Sequence, residues 1–207
     1  MARAPNGYRT SVFINAPFSA DRRDTFNAIV FAVLACGFTP RCALEFDNAA
    51  QIRFEKICVL IRDCHLGIHD ISYMELDDGL PRFNMPFELG LFLGADRFGS
   101  GWAGQKACAV FDRENFRYQR VLSDIAGQDI RAHACDPRTA SDQTRTWLSH
   151  HARAGAHIPG AAAVWRMNEE FQAELPALAA ISMQEGLELT FLERRHLASE
   201  WLRRRLA

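Results

Sequence analysis

SVFINAPFSADRRDTFNAIVFAVLACGF, residues 11–38, reads as a strand, a loop and a helix in succession. The apolar run SVFINA, residues 11–16, is stopped by Pro17, as befits a buried strand that opens into a loop. Phe26, Ile29, Val30, Val33 and Leu34 then recur at helical spacing, and Gly37 supplies the stop. The same alternation continues along the chain. Residues 38–44 suit a second strand; Ile52, Ile57, Leu60 and Ile61 mark a second helix; residues 66–71 suit a third strand. A loop of about a dozen residues, SYMELDDGLPRFN, precedes MPFELGLFLGAD (85–96), a third helix. After the glycine-rich connector FGSGWAGQ come a fourth strand over 106–111 and a short fifth over 128–132. Strands alternating with helices of this length predict an α/β, flavodoxin-like, doubly wound parallel sheet of about five strands in the order 2-1-3-4-5.

Residues 136–151 have helical character, and HARAGAHIPGAAA (151–163) interrupts it with glycine and proline. Beyond it, residues 164–183 and 185–206 suit helices, so the expected division is an α/β domain over 1–152 and a C-terminal helical extension over 153–207. Its apolar residues, including Trp165, Phe171, Leu187, Leu192 and Trp201, exceed what two exposed helices carry and are expected to pack on the main domain or a second copy. The basic end RRRLA suits a helix C-terminus.

The chain has 207 residues, 48% of them hydrophobic, and a net charge of -1, which fits one main core and disfavours nucleic acid as a partner. No run is apolar over the roughly 18 residues of a membrane span, and MARAPNGYRT lacks the apolar core of a secretory signal. The expectation is a cytoplasmic protein with no membrane partner. Six cysteines without CxxC spacing read as reduced thiols, and seven scattered histidines suggest no metal site.

In an open parallel sheet the ligand crevice lies beyond the carboxyl ends of the strands. That nominates residues 15–23, 45–51 and 70–84, and Glu88, expected in the first turn of the third helix. Glu88 has two readings, a carboxylate that stabilises a helix start through the macrodipole or one that faces a ligand. Asp70 likewise either caps the following turn or meets a ligand. Backbone N–H groups in NAPFSADRRD, with Arg22 or Arg23, suit a phosphate. GxxxxGK[ST] is absent, and no GxGxxG follows the first strand, which argues against ATP hydrolysis and nicotinamide-linked hydride transfer.

VFINAPFS, GIHDIS and PFELGLFLGA, within residues 12–112, resemble the nucleoside 2-deoxyribosyltransferase family, and the same portion is similar to the TIR fold. Both resemblances imply cleavage or transfer at an N-glycosidic bond of a nucleotide, nucleoside or NAD. The glutamate of FELG, Glu88, would be nucleophile or electrostatic stabiliser, with Asp70 holding the sugar or base. Asn84 would contact the sugar, Asn15, Phe18, Ser19, Arg22 and Arg23 would line the phosphate or ribose side, and Asp47 and Gln51 would close the far edge. Phe13 stands where the deoxyribosyltransferases usually carry a strand-one tyrosine, and Asn84, Met85 and Pro86 replace the TIR tryptophan and cysteine. No cofactor is implied, NAD entering as substrate. Relatives that complete their sites across subunits make a homo-oligomer an expected assembly. FNMPFELGLFLGA also resembles uncharacterised bacterial proteins, some linked to defence systems, and the alternative is a non-catalytic nucleotide-sensing or protein-interaction module.

Overall fold

Alternation along the first strand sets the two faces of the sheet. In the computed structural model, which describes residues 3–74, 76–77, 80–182 and 189–206, β1 (Ser11–Asn15) sends Val12 and Ile14 to one side and Phe13 to the other. The elements that follow are α1 (Arg23–Ala35), β2 (Thr39–Arg41), α2 (Arg53–Asp63), β3 (Leu66–Asp70), a small antiparallel pair β4 (Leu76–Asp77) and β5 (Leu80–Pro81), and α3 (Asn84–Phe98). They continue with β6 (Ala107–Asp112), β7 (Arg131–Ala132), α4 (Pro137–Ser149), α5 (Ala161–Ile181) and α6 (Phe191–Leu206).

The main sheet is β2-β1-β3-β6-β7, all parallel, so its five strands in chain order stand 2-1-3-4-5, the flavodoxin-like arrangement. β2 is shorter than the residues 38–44 expected, because Pro40 removes a ladder donor, tolerable only at the sheet edge it occupies. The fifth strand is likewise shortened to Arg131–Ala132, and the loop before α3 carries the β4–β5 pair that its composition did not announce.

One face of the sheet is covered by α1 and α4, where Ile29, Val30, Val33, Trp147 and Leu148 meet Val12, Ile14, Leu66 and Ile68. The other is covered by α2 and α3, where Leu60, Ile61 and Phe92 meet Phe13. α1 is apolar nearly all round and is buried on its outer side too. Phe31, Ala32 and Ala35 pack against Phe171, Leu175, Leu197 and Trp201 of the two C-terminal helices. Phe31 stacks on Phe171 at 5.4 Å between centroids, and Trp201 Nε1 donates to Glu174 at 2.9 Å. Arg195 ties α6 to the edge strand by donating to the Pro40 carbonyl and to Glu45 at 3.2 and 3.1 Å. Of the tail residues expected to pack, Phe171 and Trp201 are buried within the chain, Trp165 is half-buried and Leu192 remains exposed. Leu187 lies outside the described residues.

No described helix is long and apolar enough to cross a membrane. Among the described residues no cluster of three or more His, Cys, Asp or Glu could hold a metal, and all six cysteines are free thiols.

Candidate functional site

The carboxyl end of β1 and the loop after it, Ala43 beyond β2, Arg82 and the starts of α2 and α3 enclose a cavity of about 350 Å³. Asn15, Phe18, Ser19, Asn84 and Glu88 all line it, together with Arg53, Arg82 and Met85. This volume is at the lower end of the roughly 300–1,000 Å³ of small-molecule sites.

Asn15 faces the cavity because it follows Phe13 by two along the strand, on the α2/α3 side of the sheet. Its register partner on β3 is His69, and Asn15 Nδ2 lies 3.1 Å from His69 Nδ1 and 2.9 Å from the Met85 carbonyl. A carbonyl only accepts, so the amide nitrogen must face Met85, and its second hydrogen must go to His69 Nδ1. His69 therefore carries its proton on Nε2 and is neutral. Burial drives its pKa down to about 3. Asn15 Oδ1 is thereby directed away from both partners, an acceptor on the cavity wall.

His69 is held between Phe13 and Phe92, with ring centroids at 5.7 and 4.9 Å. Gly67, one step along the same face of β3, gives the two rings room. A Cβ there would lie 2.8 Å from His69 Nε2 and 2.9 Å from the Phe92 ring.

Glu88 is the fifth residue of α3, one residue further in than its place in the expected helix and just past the first turn. It shares a buried side of the helix with Met85 and Phe92, at the spacings of three and four that bring helix residues onto one side. It is 7% exposed. Among the described residues no hydrogen bond or ion pair engages its carboxyl group. Burial pushes its pKa up from 4.5 to about 7, and the Arg53 guanidinium pulls the other way. The macrodipole explanation weakens with distance from the helix start, and burial of an unpaired carboxyl group opposes it further.

No family model, no curated protein and no solved structure matches the chain.

The other expected site residues fall elsewhere. Asp70 is buried, but its Oδ1 accepts from the Ser72 N–H at 2.9 Å and from His133 Nε2 at 3.2 Å, so it caps the following turn and anchors His133. It does not line the cavity. Arg22 lies over the Tyr73 ring at 5.5 Å and pairs with Asp21 at 3.2 Å, and Arg23, first residue of α1, is exposed. Asp47 and Gln51 are exposed and off the wall.

Sequence reading missed the cavity's two cations. Arg53 opens α2, and Arg82, which stacks on Tyr73 at 4.9 Å, follows β5. A signal for Arg53 existed, since the start of α2 lies just beyond the loop after the second strand, inside the crevice rule. Arg82 depends on how the long loop folds back, for which its sequence gave no periodicity.

Proposed function

We propose that this cavity binds a nucleoside or the nucleoside end of a nucleotide or NAD, and that Glu88 acts there in cleaving or transferring at the N-glycosidic bond. The observation that carries this reading is a carboxyl group buried, without a partner among the described residues, on the wall of a cavity at the carboxyl end of a parallel sheet. Folding alone disfavours that placement, and a cationic transition state would stabilise it.

Departure of the base leaves positive charge shared between the anomeric carbon and the ring oxygen. The ionised Glu88 stabilises that charge or captures the carbon covalently, and the low-dielectric wall strengthens the effect. Burial alone holds much of Glu88 protonated at neutral pH. A cationic base such as nicotinamide shifts it toward the carboxylate and departs without needing a proton. Asn15 Oδ1 supplies an acceptor for a sugar hydroxyl, and Arg53 and Arg82 supply cations for an anionic part of the ligand. The likeness of PFELG to the deoxyribosyltransferases and of the same portion to the TIR fold supports the choice of bond.

Incubation with a panel of nucleosides, deoxynucleotides and NAD, followed by chromatography for released base, tests the reading with the parent chain and Glu88→Gln side by side. Release by the parent and its loss by orders of magnitude in Glu88→Gln, with binding retained, is expected. Equal release by both removes Glu88 from catalysis, and binding without release makes the site a sensor.

A further inference from the structure

A second and larger cavity, about 610 Å³, lies at the opposite end of the strands. Its wall is the segment that leads into β1, together with Arg153 from the connection after α4. The Tyr8 carbonyl accepts from the His65 N–H at 3.0 Å, and the His65 carbonyl accepts from Ala107 at 3.1 Å, which sets this segment beside the amino ends of β3 and β6. The Glu88 cavity opens at the carboxyl ends, so the two sites share no lining residue.

This wall is built rather than loose. Tyr8 is buried, and its hydroxyl donates to the carbonyls of Trp102 and Gln105 at 2.8 and 3.2 Å. The backbone around it closes on itself through Tyr8 N–H to the Pro5 carbonyl at 3.1 Å and Thr10 N–H to the Gly7 carbonyl at 3.0 Å. Gly7 permits that turn with φ of 75°.

The charge of the wall is one-sided. Arg3, Arg9 and Arg153, all exposed, line it, and none of the described Asp or Glu residues does. None of the three guanidinium groups makes a hydrogen bond or ion pair among the described residues. Arg41 and Arg195, which pair with Glu45, and Arg117, which pairs with Asp112, are neutralised by carboxylates in a way these three are not. The three cations share one cavity and face solvent, where a multiply charged anion can gather all of them at once.

We propose that this cavity binds a polyphosphate group, the pyrophosphate or triphosphate of a small molecule, held by Arg3, Arg9 and Arg153. Each guanidinium presents parallel N–H donors that match two phosphate oxygens, and three of them suit a chain carrying three or four negative charges better than a single phosphate. Binding here is separate from the Glu88 chemistry and stands whether or not that reading holds.

Isothermal titration of the full chain with inorganic phosphate, inorganic triphosphate and ATP tests the assignment, with Arg9→Ala, Arg153→Ala, Arg53→Ala and Arg204→Ala in parallel. Triphosphate is expected to bind more tightly than phosphate. Arg9→Ala and Arg153→Ala should each weaken it by about tenfold or more, the loss of a hydrogen bond to a charged group. Arg204 is an exposed arginine of α6 that lines neither cavity, and Arg204→Ala should leave the affinity unchanged. ATP binding more tightly than triphosphate identifies a nucleotide ligand, and equal affinities identify the polyphosphate group alone as what is recognised. No binding of triphosphate at millimolar concentration overturns the proposal, as does binding that survives both substitutions or is lost only in Arg53→Ala. Should an alanine variant fail to fold, Arg9→Gln and Arg153→Gln remove the same charge and give the same reading.

Discussion

Asn15 and His69 stand side by side on adjacent parallel strands, and the Asn15 amide donates to His69 Nδ1 across 3.1 Å while its other hydrogen meets the Met85 carbonyl. The pair joins β1, β3 and the first turn of α3 at the floor of the cavity. A protonated imidazole would set two donors against each other. The neutral ring is therefore enforced by hydrogen bonding as well as by burial. Nitrogen NMR at pH 5 should find His69 neutral with its proton on Nε2, and an imidazolium there would break the account. Asn15→Ala, which strips both acceptors of their donor, should lower stability by about 1 to 3 kcal/mol in denaturant unfolding.

Gly67 meets this pair from the same face of β3. Because His69 and Phe92 are buried to 0 and 1% exposure, neither ring has room to yield to a Cβ that would approach within 2.8 and 2.9 Å. Gly67→Ala should cost about 1 to 3 kcal/mol, the usual range for overpacking a filled core. Unchanged stability would mean that the rings move freely.

Sheet order and helix positions were legible because each rests on a local pattern: the run SVFINA, the spacing of Phe26 to Leu34, the stop at Gly37. The crevice rule likewise carried Asn15, Phe18, Ser19, Asn84 and Glu88 to one wall. Residues whose place depends on distant partners were not legible. Asp70 faced two uses from sequence, and His133, 63 residues away, engages it together with its own turn. Phe31 breaks no helical pattern, yet its burial depends on α5 and α6 returning across α1. The depth of Glu88 could have been read from its spacing to Met85 and Phe92, which places it on the packed stripe rather than at the helix mouth.

Two buried groups give stability opposing dependences on pH. His69 has a folded pKa of about 3 against 6.5 when free, so its stabilisation is complete above 6.5 and is lost as pH falls toward 3, on the order of 4 to 5 kcal/mol in all. Glu88 runs the other way. With a folded value of about 7 against 4.5, the folded state binds the proton more tightly, so its contribution is complete below 4.5 and is lost as pH rises through 7, on the order of 3 kcal/mol. Glu88→Gln should therefore melt several degrees above the parent at pH 8, with the gap closing by about pH 4.5. A carboxylate serving only the helix dipole would give the opposite sign at pH 8, a loss of about 0.3 to 1 kcal/mol on substitution.

The same carboxyl group should govern the pH dependence of base release, because a nucleophile or cation stabiliser acts only when ionised. In the free protein Glu88 titrates near 7, so kcat/KM for a substrate whose base leaves as a neutral molecule from a cation, such as NAD, should rise with pH through about 7 and then level. Arg53 is the lever on that value, since its guanidinium is the charge that opposes the effect of burial. Removing it with Arg53→Ala should move the rising limb to higher pH, whereas a purely structural Arg53 would lower the rate without moving the limb. Falling activity across the same window would instead assign Glu88 the role of proton donor to the departing base. Rates measured from pH 5 to 9 on the parent and Arg53→Ala separate the three outcomes. A profile flat through 7 in both proteins would leave Glu88 no part in the chemistry.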